Sequence, residues 1–180
     1  HYDFEIIYIN DGSSDETLPM LKALREQDRR VTVINLSRNF GKEAAMTAAL
    51  DYAPGDAVIL LDADLQDPPE LIPEMIKVRE DQNADVVYGQ RLSRSGETWF
   101  KKFTAMSFYK VINWISRVKI PQNTGDFRLM TRRTVDAVNE LREHHRFMKG
   151  LFAWVGYKQV ALPYHRHPRS AGRTKWDYLK

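Results

Sequence analysis

Two aspartates near the middle of the chain, Asp62 and Asp64, are spaced so that both carboxylates could bind one metal ion. They follow the apolar residues 58–61, a run typical of a buried parallel strand, and ligands of such sheets bind at the carboxyl ends of the strands. Carboxylate oxygens on a short turn suit Mg²⁺ or Mn²⁺ bridged to a substrate diphosphate, and Gln66 could add a neutral oxygen. The same pattern is also typical of an acidic loop that caps a helix, so the pair alone leaves both interpretations open.

The composition is that of a globular protein. Of its 180 residues, 43% are hydrophobic and 28% are charged, which is enough for one domain with a packed core. The chain has no cysteine, which excludes disulfides and cysteine-based zinc sites. A net charge of +3 is too small to predict nucleic-acid binding, and no apolar run reaches the length of a membrane-spanning helix. The sequence leaves open whether the protein forms a homo-oligomer.

Strand and helix patterns alternate along the first half of the chain and must position these aspartates. This alternation predicts an α/β fold, with a mostly parallel sheet flanked by helices, in a single domain over residues 1–180. Ser13 and Glu16 are spaced as a capping box that would begin the first helix, and Pro73 is expected in the first turn of the third. The predicted strands are residues 5–10, 31–36, 57–61 and 85–90. Of the three predicted helices, the first ends near residue 28, the second spans residues 42–52 and the third starts at residue 73. The second half is less regular.

Six motifs occur in a characteristic order along the chain. They are INDGSSD at residues 9–15, RNFGK at 38–42, DADLQDP at 62–68, GDFRLM at 125–130, FMKG at 147–150 and RxxGxTKW at 169–176. Taken together, they resemble the family-2 glycosyltransferases, and specifically the branch that includes bactoprenol glucosyltransferases and dolichol-phosphate mannose synthase. Each motif alone is weak, whereas the ordered set is specific.

The resemblance implies a GT-A, Rossmann-like domain that transfers a sugar, most readily glucose from UDP-glucose, to a polyprenyl phosphate. Inverting transfer with Mg²⁺ or Mn²⁺, at the cytoplasmic face of the cell membrane, is implied as well. Family members begin with one more βα unit, and those of the bactoprenol type continue into membrane helices. The sequence shows neither, so we expect the chain to be a fragment of the catalytic domain.

The resemblance also assigns roles to single residues. Asp62 faces the ribose or the metal, Asp64 is the direct metal ligand and Gln66 assists. Asp67 could simply cap the following turn. Four further residues are expected to bind the nucleotide sugar: Asp11, Arg38, Lys42 and Lys175. For Asp11 the alternative is a turn aspartate that caps a helix, and for Arg38 and Lys42 it is an ordinary strand-to-helix turn beside Gly41.

A second set of residues is expected to serve the acceptor. Asp126 occupies the position of a catalytic carboxylate, but a lipid phosphate has a second pKa near 6 and needs little help from a base, so Asp126 could instead orient the acceptor. The alternative for Asp126 is a structural ion pair with Arg128. Arg91 and Arg128 are expected in the catalytic site, and the lipid phosphate is assigned to Arg91, Arg146 and Arg169, although solvated surface charge is the common fate of arginine.

Aromatic and basic residues alternate over residues 99–120, a pattern that suits a helix lying at a membrane surface. Trp99, Phe103 and Trp114 are the expected membrane-interface residues, and the alternative is an amphipathic helix packed on the sheet. Two other functions stay open at this point. One is a family-2 transferase with a sugar hydroxyl as acceptor, and the other is a non-catalytic nucleotide-binding domain.

Overall fold

The computed structural model describes residues 2–92, 124–143 and 146–165. Within these residues the chain forms two compact units, each built from two separate stretches of sequence. In the described part of the chain, the first unit comprises residues 2–58, 130–143 and 146–156, and the second comprises residues 59–92, 124–129 and 157–165. The prediction of one catalytic domain over the whole chain stays a prediction.

The first unit contains a two-stranded parallel sheet and four helices. Strands β1 and β2 pair in register from Ile6 opposite Val31 to Asn10 opposite Asn35. The elements, in chain order, are β1 (Ile6–Asn10), α1 (Thr17–Gln27), β2 (Val31–Asn35), α2 (Lys42–Tyr52), α4 (Arg132–Glu140) and α5 (Met148–Trp154). Helix α4 is joined to α2 by polar contacts, because Asn139 donates to the carbonyl oxygen of Leu50 at 3.1 Å.

The second unit is organised around a four-stranded sheet in the order β3-β5-β4-β6. Strands β4 and β6 are parallel, with Arg91 opposite Tyr164 at their carboxyl ends. The elements are β3 (Ala57–Leu60), a 3-10 turn (Pro69–Leu71), α3 (Ile72–Gln82), β4 (Val86–Arg91), β5 (Thr124–Thr131) and β6 (Gln159–Tyr164). Strands β3 and β5 each extend by two residues into the ranges of the first unit.

The core of the second unit lies between α3 and the inner strands. Every residue of β5 is buried, as expected for an inner strand covered on both faces. Phe127 is the largest side chain of this core, and its ring meets that of Tyr164 edge to face with 6.1 Å between centroids. The other buried members of the cluster are Met75, Ala84, Val87, Leu129 and Leu162.

The α/β fold with a mostly parallel sheet, as predicted, is confirmed, but the predicted start of α1 is wrong. The helix begins at Thr17, and the side chain of its N-cap residue, Glu16, makes no capping hydrogen bond. The N–H of Ser13 instead donates to Oδ1 of Asn10 at 3.3 Å, and that of Thr17 donates to Oδ1 of Asp15 at 3.1 Å. These local turn contacts compete with the capping box, because short polar side chains readily bond to backbone groups two or three residues away.

Candidate active site

The predicted metal ligands lie on a tight turn that follows β3. Asp62, Asp64 and Gln66 are partly buried, and the N–H of Gln66 donates to Oδ1 of Asp64 at 3.2 Å. Leu65 lies between them with a φ of 55°, in the left-handed region that side chains with a Cβ rarely adopt. Such a turn places oxygen donors on alternate residues at the carboxyl end of a strand.

The donor set of this turn matches a cation that is shared with a substrate. Among residues 2–92, 124–143 and 146–165, no three His, Cys, Asp or Glu side chains are close enough to hold a metal ion by themselves. Mg²⁺ usually binds one or two carboxylates together with substrate phosphates and water, so two aspartates and an amide are a sufficient protein contribution. Asp62, Asp64 and Gln66 therefore fit Mg²⁺ or Mn²⁺ by the chemistry of their oxygens.

A buried polar cluster lies next to this turn at the carboxyl ends of β4 and β6. Asp67 is completely buried, and its Oδ1 accepts a short hydrogen bond from the hydroxyl of Tyr164. Arg91 donates from Nε to the Tyr164 hydroxyl at 3.3 Å, and its Nη2 lies 3.5 Å from Oδ1 of Asp67. We refer to Asp67, Arg91, Tyr164 and the adjacent Gly125 as the Arg91 cluster. Asp67 thus does more than cap a turn, since its carboxylate contacts residues 24 and 97 positions later.

Electrostatics keep both partners of Asp67 protonated. Burial, followed by the hydrogen bond to Asp67, raises the pKa of Tyr164 from 10 to about 12. For Arg91, burial lowers the pKa, but the Tyr164 hydroxyl and the charge of Asp67 together outweigh it, so that the pKa is raised. The side chain of Arg91 remains 13% exposed, so this charged group is held firmly without being sealed from solvent.

Gly125 leaves the space that the guanidinium of Arg91 occupies. A Cβ at this position would lie 2.6 Å from Nη2 of Arg91 and 3.5 Å from Oδ2 of Asp67. Any other residue would therefore displace the arginine head group. The glycine of the GDFRLM motif is thus explained by close packing in the Arg91 cluster.

Asp126 and Arg128 lie on β5, which lies between β3 and β4 in the sheet. Both are buried, and the Arg128 guanidinium bends back to the carbonyl oxygens of Gly125 at 3.1 Å and Asp126 at 3.3 Å. Burial lowers the pKa of Arg128 to about 10, against the opposing charge of Asp126, so the guanidinium stays charged near neutral pH. These contacts make Arg128 a support for the strand that carries Asp126.

Asp11 joins the end of β1 to the loop before α2 in the first unit. Its Oδ1 accepts the N–H of Phe40 at 2.7 Å, and its Oδ2 accepts the N–H of Gly41 at 3.0 Å. The side-chain amide of Asn39 donates to the carbonyl oxygen of Asp11 at 3.0 Å. Gly12 permits this approach, since a Cβ there would lie 2.4 Å from the backbone nitrogen of Asn39.

The loop that Asp11 holds also carries the predicted phosphate-binding residues. The guanidinium of Arg38 lies over the ring of Phe40, with 4.1 Å from Cζ to the centroid, and both side chains are exposed. Lys42 is the first residue of α2, whose N-cap is Gly41 with a φ of 95°. The positive end of the helix and the two cations would favour an anion here, and donor binding by this loop stays a prediction.

Arg146, predicted to bind the lipid phosphate, makes several contacts with protein oxygens. Its Nη1 donates to Oγ1 of Thr47 at 3.0 Å and its Nη2 donates to the carbonyl oxygens of Val138 at 2.9 Å and of Leu141. It therefore joins α2 to the segment that follows α4. The remaining predicted residues lie outside the described residues: Trp99, Phe103, Trp114, Arg169 and Lys175.

The roles of Asp67 and Tyr164 could not be foreseen from sequence spacing. One signal was present, because Asp67 is the third acid in the DADLQDP motif and directly precedes two prolines. Tyr164 closes a short alternating strand, but nothing local pairs it with a residue 97 positions earlier. Buried carboxylates require partners, and here those partners come from two different strands.

Comparison with known proteins identifies relatives along nearly the whole chain. The model of glycosyl transferase family 2 matches residues 1–138. An uncharacterized glycosyltransferase of Synechocystis is 57% identical over 98% of this chain and 55% of its own length. The bactoprenol glucosyl transferase of Shigella phage SfV is 46% identical over 99% of this chain and 58% of its own length. The chain thus spans little more than half the length of these relatives.

A solved structure supports the fold. The mannosyltransferase PcManGT from Pyrobaculum calidifontis, in complex with GDP-Man and Mn²⁺, superposes with a TM-score of 0.58 at 20% identity, over 88% of this chain and 45% of that one. This similarity confirms the predicted GT-A fold. The match of the family model over residues 1–138 confirms the predicted family. The order of the six motifs, the strand-end aspartates and these relatives lead to one conclusion: the chain belongs to glycosyl transferase family 2.

Proposed function

We propose that the protein transfers a sugar, with inversion, from a nucleoside diphosphate donor to a polyprenyl phosphate, and that the donor is UDP-glucose. The observation that carries the proposal is the 46% identity, over nearly the whole chain, to a relative named for glucosyl transfer to bactoprenol. The placement of Asp62, Asp64 and Arg91 at carboxyl ends of strands supports it, because such ends bind ligands in α/β sheets.

The cation would be held by Asp62, Asp64 and Gln66. A bound Mg²⁺ or Mn²⁺ would neutralise negative charge on the departing nucleoside diphosphate, which makes it a better leaving group. The left-handed turn at Leu65 would set the relative positions of these three side chains before any ligand binds. Preorganised ligands of this kind reduce the loss of entropy on binding.

The donor nucleotide would meet the loop that contains residues 38–42. Asp11 holds the backbone of this loop with both carboxylate oxygens, and Arg38 and Lys42 supply positive charge. The predicted contact of Asp11 with the base or ribose requires a third hydrogen bond, which the remaining lone pairs of its oxygens can accept. Lys175 completes this set by its place in the RxxGxTKW motif.

The acceptor oxygen needs orientation more than it needs a base. A phosphate monoester is largely a dianion at neutral pH, so its oxygen can attack the anomeric carbon without giving up a proton. Arg91 would bind this phosphate and offset its repulsion from the donor diphosphate. Asp126 would then orient the acceptor in the site, while Arg128 supports its strand.

The lipid acceptor places the reaction at a membrane surface, and we propose the cytoplasmic face because nucleotide sugars would reach it there. No helix among the described residues is long and apolar enough to span a bilayer. Trp99, Phe103 and Trp114 would insert at the interface, with lysines of the same segment near the lipid head groups. The proposed membrane contact of this segment does not depend on whether another part of the protein is anchored in the membrane.

The test is transfer of radiolabelled glucose from UDP-glucose to undecaprenyl phosphate in detergent, by the protein at its natural length. We expect product with Mg²⁺, none with EDTA, and a loss of at least about a hundredfold for Asp64→Ala, because even the outer-shell partners of a metal ligand are worth about 10–100-fold. Asp81→Ala is the matched control, because Asp81 is an exposed carboxylate in α3 of the same unit. Normal binding of UDP without any transfer to the lipid would refute polyprenyl phosphate as the acceptor.

Asp126→Asn separates the lipid-phosphate reaction from transfer to a sugar hydroxyl. A hydroxyl acceptor must lose its proton, so a true base at Asp126 would make the variant almost inactive. A phosphate acceptor predicts measurable turnover, with a pH profile that keeps the shape of the wild-type curve. Complete loss of activity in a folded variant would favour the hydroxyl acceptor.

A further inference from the structure

The Arg91 cluster contains two residues, Asp67 and Tyr164, for which the proposed mechanism has no role. Both are buried, and burial of a carboxylate is costly unless the charge is paired and hydrogen-bonded. Tyr164 closes β6 at its carboxyl end, and Asp67 lies in the loop that follows β3, so both residues are near the end of the sheet where α/β proteins bind ligands.

The contacts of Arg91 have a direction. Tyr164 and Asp67 engage one edge of the planar guanidinium, namely Nε at 3.3 Å and Nη2 at 3.5 Å. Within the described part of the chain, Nη1 makes no hydrogen bond, and the side chain retains 13% exposure. Gly125 packs against Nη2, where even one methyl group would collide at 2.6 Å. The described residues therefore hold the head group on one edge and leave the edge that carries Nη1 open to an anion.

The hydrogen bonds of the cluster form a closed triangle. Tyr164 accepts from Nε of Arg91 and donates to Oδ1 of Asp67, while Arg91 Nη2 approaches the same oxygen. The ring of Tyr164 packs edge to face on Phe127, so its hydroxyl has a fixed position. A protonated tyrosine can satisfy both bonds at once, because its oxygen accepts and its O–H donates.

We infer that Asp67 and Tyr164 are positioning residues that orient the Arg91 guanidinium toward the phosphate of the acceptor. The inference rests on the proposed function, in which Arg91 binds that phosphate. The two residues act through Arg91 and do not contact the substrate. Bidentate recognition of phosphate depends on the angle of the guanidinium plane, so loss of either partner weakens acceptor binding even though the charge remains.

The test uses Tyr164→Phe in the protein at its natural length, because this change removes one hydroxyl and keeps the ring that packs on Phe127. We expect the KM for polyprenyl phosphate to rise about tenfold, the effect of one hydrogen bond to a charged group, and the KM for the nucleotide sugar to stay within about twofold. Asp67→Asn, which keeps the size of the side chain but not its charge, should move the same constant in the same direction.

Asp85→Asn is the matched control for loss of a buried carboxylate. Asp85 is 4% exposed and directly precedes β4, so it lies at the other end of the strand from Arg91, where it accepts the N–H of Lys158 at 3.3 Å. We expect this variant to lower the melting temperature without changing the KM for the acceptor. An equal change of that KM in the control and in Tyr164→Phe would overturn the inference, because destabilisation alone would then explain it.

A double-mutant cycle decides whether Tyr164 acts through Arg91. If it does, Tyr164→Phe adds nothing to Arg91→Gln, and the double variant has the acceptor KM of Arg91→Gln alone. Additive effects would overturn the inference and leave the proposed function intact. Absence of wild-type transfer to polyprenyl phosphate would instead refute the proposed function, and the inference with it. The two failures are therefore distinguishable in one set of assays.

Discussion

Gly12→Ala is expected to destabilise the protein through one methyl group. Gly12 has a φ of 67°, and an added Cβ would lie 2.4 Å from the backbone nitrogen of Asn39 and 2.5 Å from the carbonyl carbon of Arg38. Both atoms belong to the backbone, so no side-chain rotation can relieve the collision. The left-handed conformation costs alanine about 1–2 kcal/mol, and overpacking adds about 1–3 kcal/mol. We therefore expect a loss of about 2–5 kcal/mol in the free energy of unfolding.

Gly156→Ala supplies a control with the same backbone conformation but with space for the methyl group. Gly156 has a φ of 74°, and its added Cβ would meet the carbonyl oxygen of Trp154 at 3.9 Å, an ordinary contact. This variant should lose only the conformational part, about 1–2 kcal/mol. Urea unfolding followed by circular dichroism measures the difference, which at a slope of about 2 kcal/mol/M corresponds to about 0.5–1.5 M between the two midpoints.

The comparison also tests the link between β1 and the loop before α2. Separation of the two backbones would break the hydrogen bonds that Asp11 accepts from Phe40 and Gly41. We therefore expect Gly12→Ala, and not Gly156→Ala, to weaken UDP binding. Titration calorimetry measures this without urea, at a temperature where both variants are folded. Equal midpoints for the two variants would refute the close approach of the backbones as the reason for Gly12.

Two further predictions concern the second unit. Leu65→Gly should change the free energy of unfolding by less than about 1 kcal/mol, because glycine adopts a φ of 55° readily. Leu65→Val should lose stability in urea unfolding, because a β-branched side chain fits the left-handed region worse than leucine does, and equal changes in the two variants would contradict the left-handed turn. The pKa of Tyr164 is raised to about 12, so between pH 10 and 12 the unfolded chain releases a proton that the folded chain keeps, and stability falls as pH rises. Tyr164→Phe should lack this fall in unfolding measured at pH 9 to 12. The pKa of Arg128, lowered to about 10, makes stability rise with pH in this range, but it does so equally in the wild type and in Tyr164→Phe. If the difference in unfolding free energy between these two proteins does not change with pH, the prediction is refuted.

Local sequence signals identified the strands and helices of the first half of the fold, although they misplaced the start of α1. Helix α2 spans the predicted residues 42–52, and Pro73 lies in the first turn of α3 as expected. These elements have clear boundaries, such as the proline and glycine that follow α2. Strand ends differ by about one residue, because a backbone hydrogen bond at the end of a strand depends on its neighbour and not on the sequence alone.

The second half was not predicted, because its signals are long-range. Strand β5 places Asp126 and Arg128 between apolar residues, a pattern typical of a strand with one solvated face, yet all eight residues are buried. The charges are accommodated by contacts that only the folded sheet provides, such as those of Arg128 with backbone oxygens. The contacts of Asp67 and Tyr164 with Arg91 were missed for the same reason, whereas the place of Arg91 at the end of β4 was predicted and its role in the site stays a prediction.

The division of each unit into two stretches of sequence has a consequence for folding during synthesis. Residues 1–58 belong to a unit that is completed only by residues 130–156. Several contacts of α2 depend on the later stretch, including those of Thr47 with Arg146 and of Glu43 with the N–H of Met148. At about 5–20 residues per second, a ribosome needs roughly 5 to 20 s to add them. For that time the nascent sheet of β1 and β2 lacks the contacts that α2 makes with the later stretch, so we expect the first unit to reach its full stability only after residue 156 has been added.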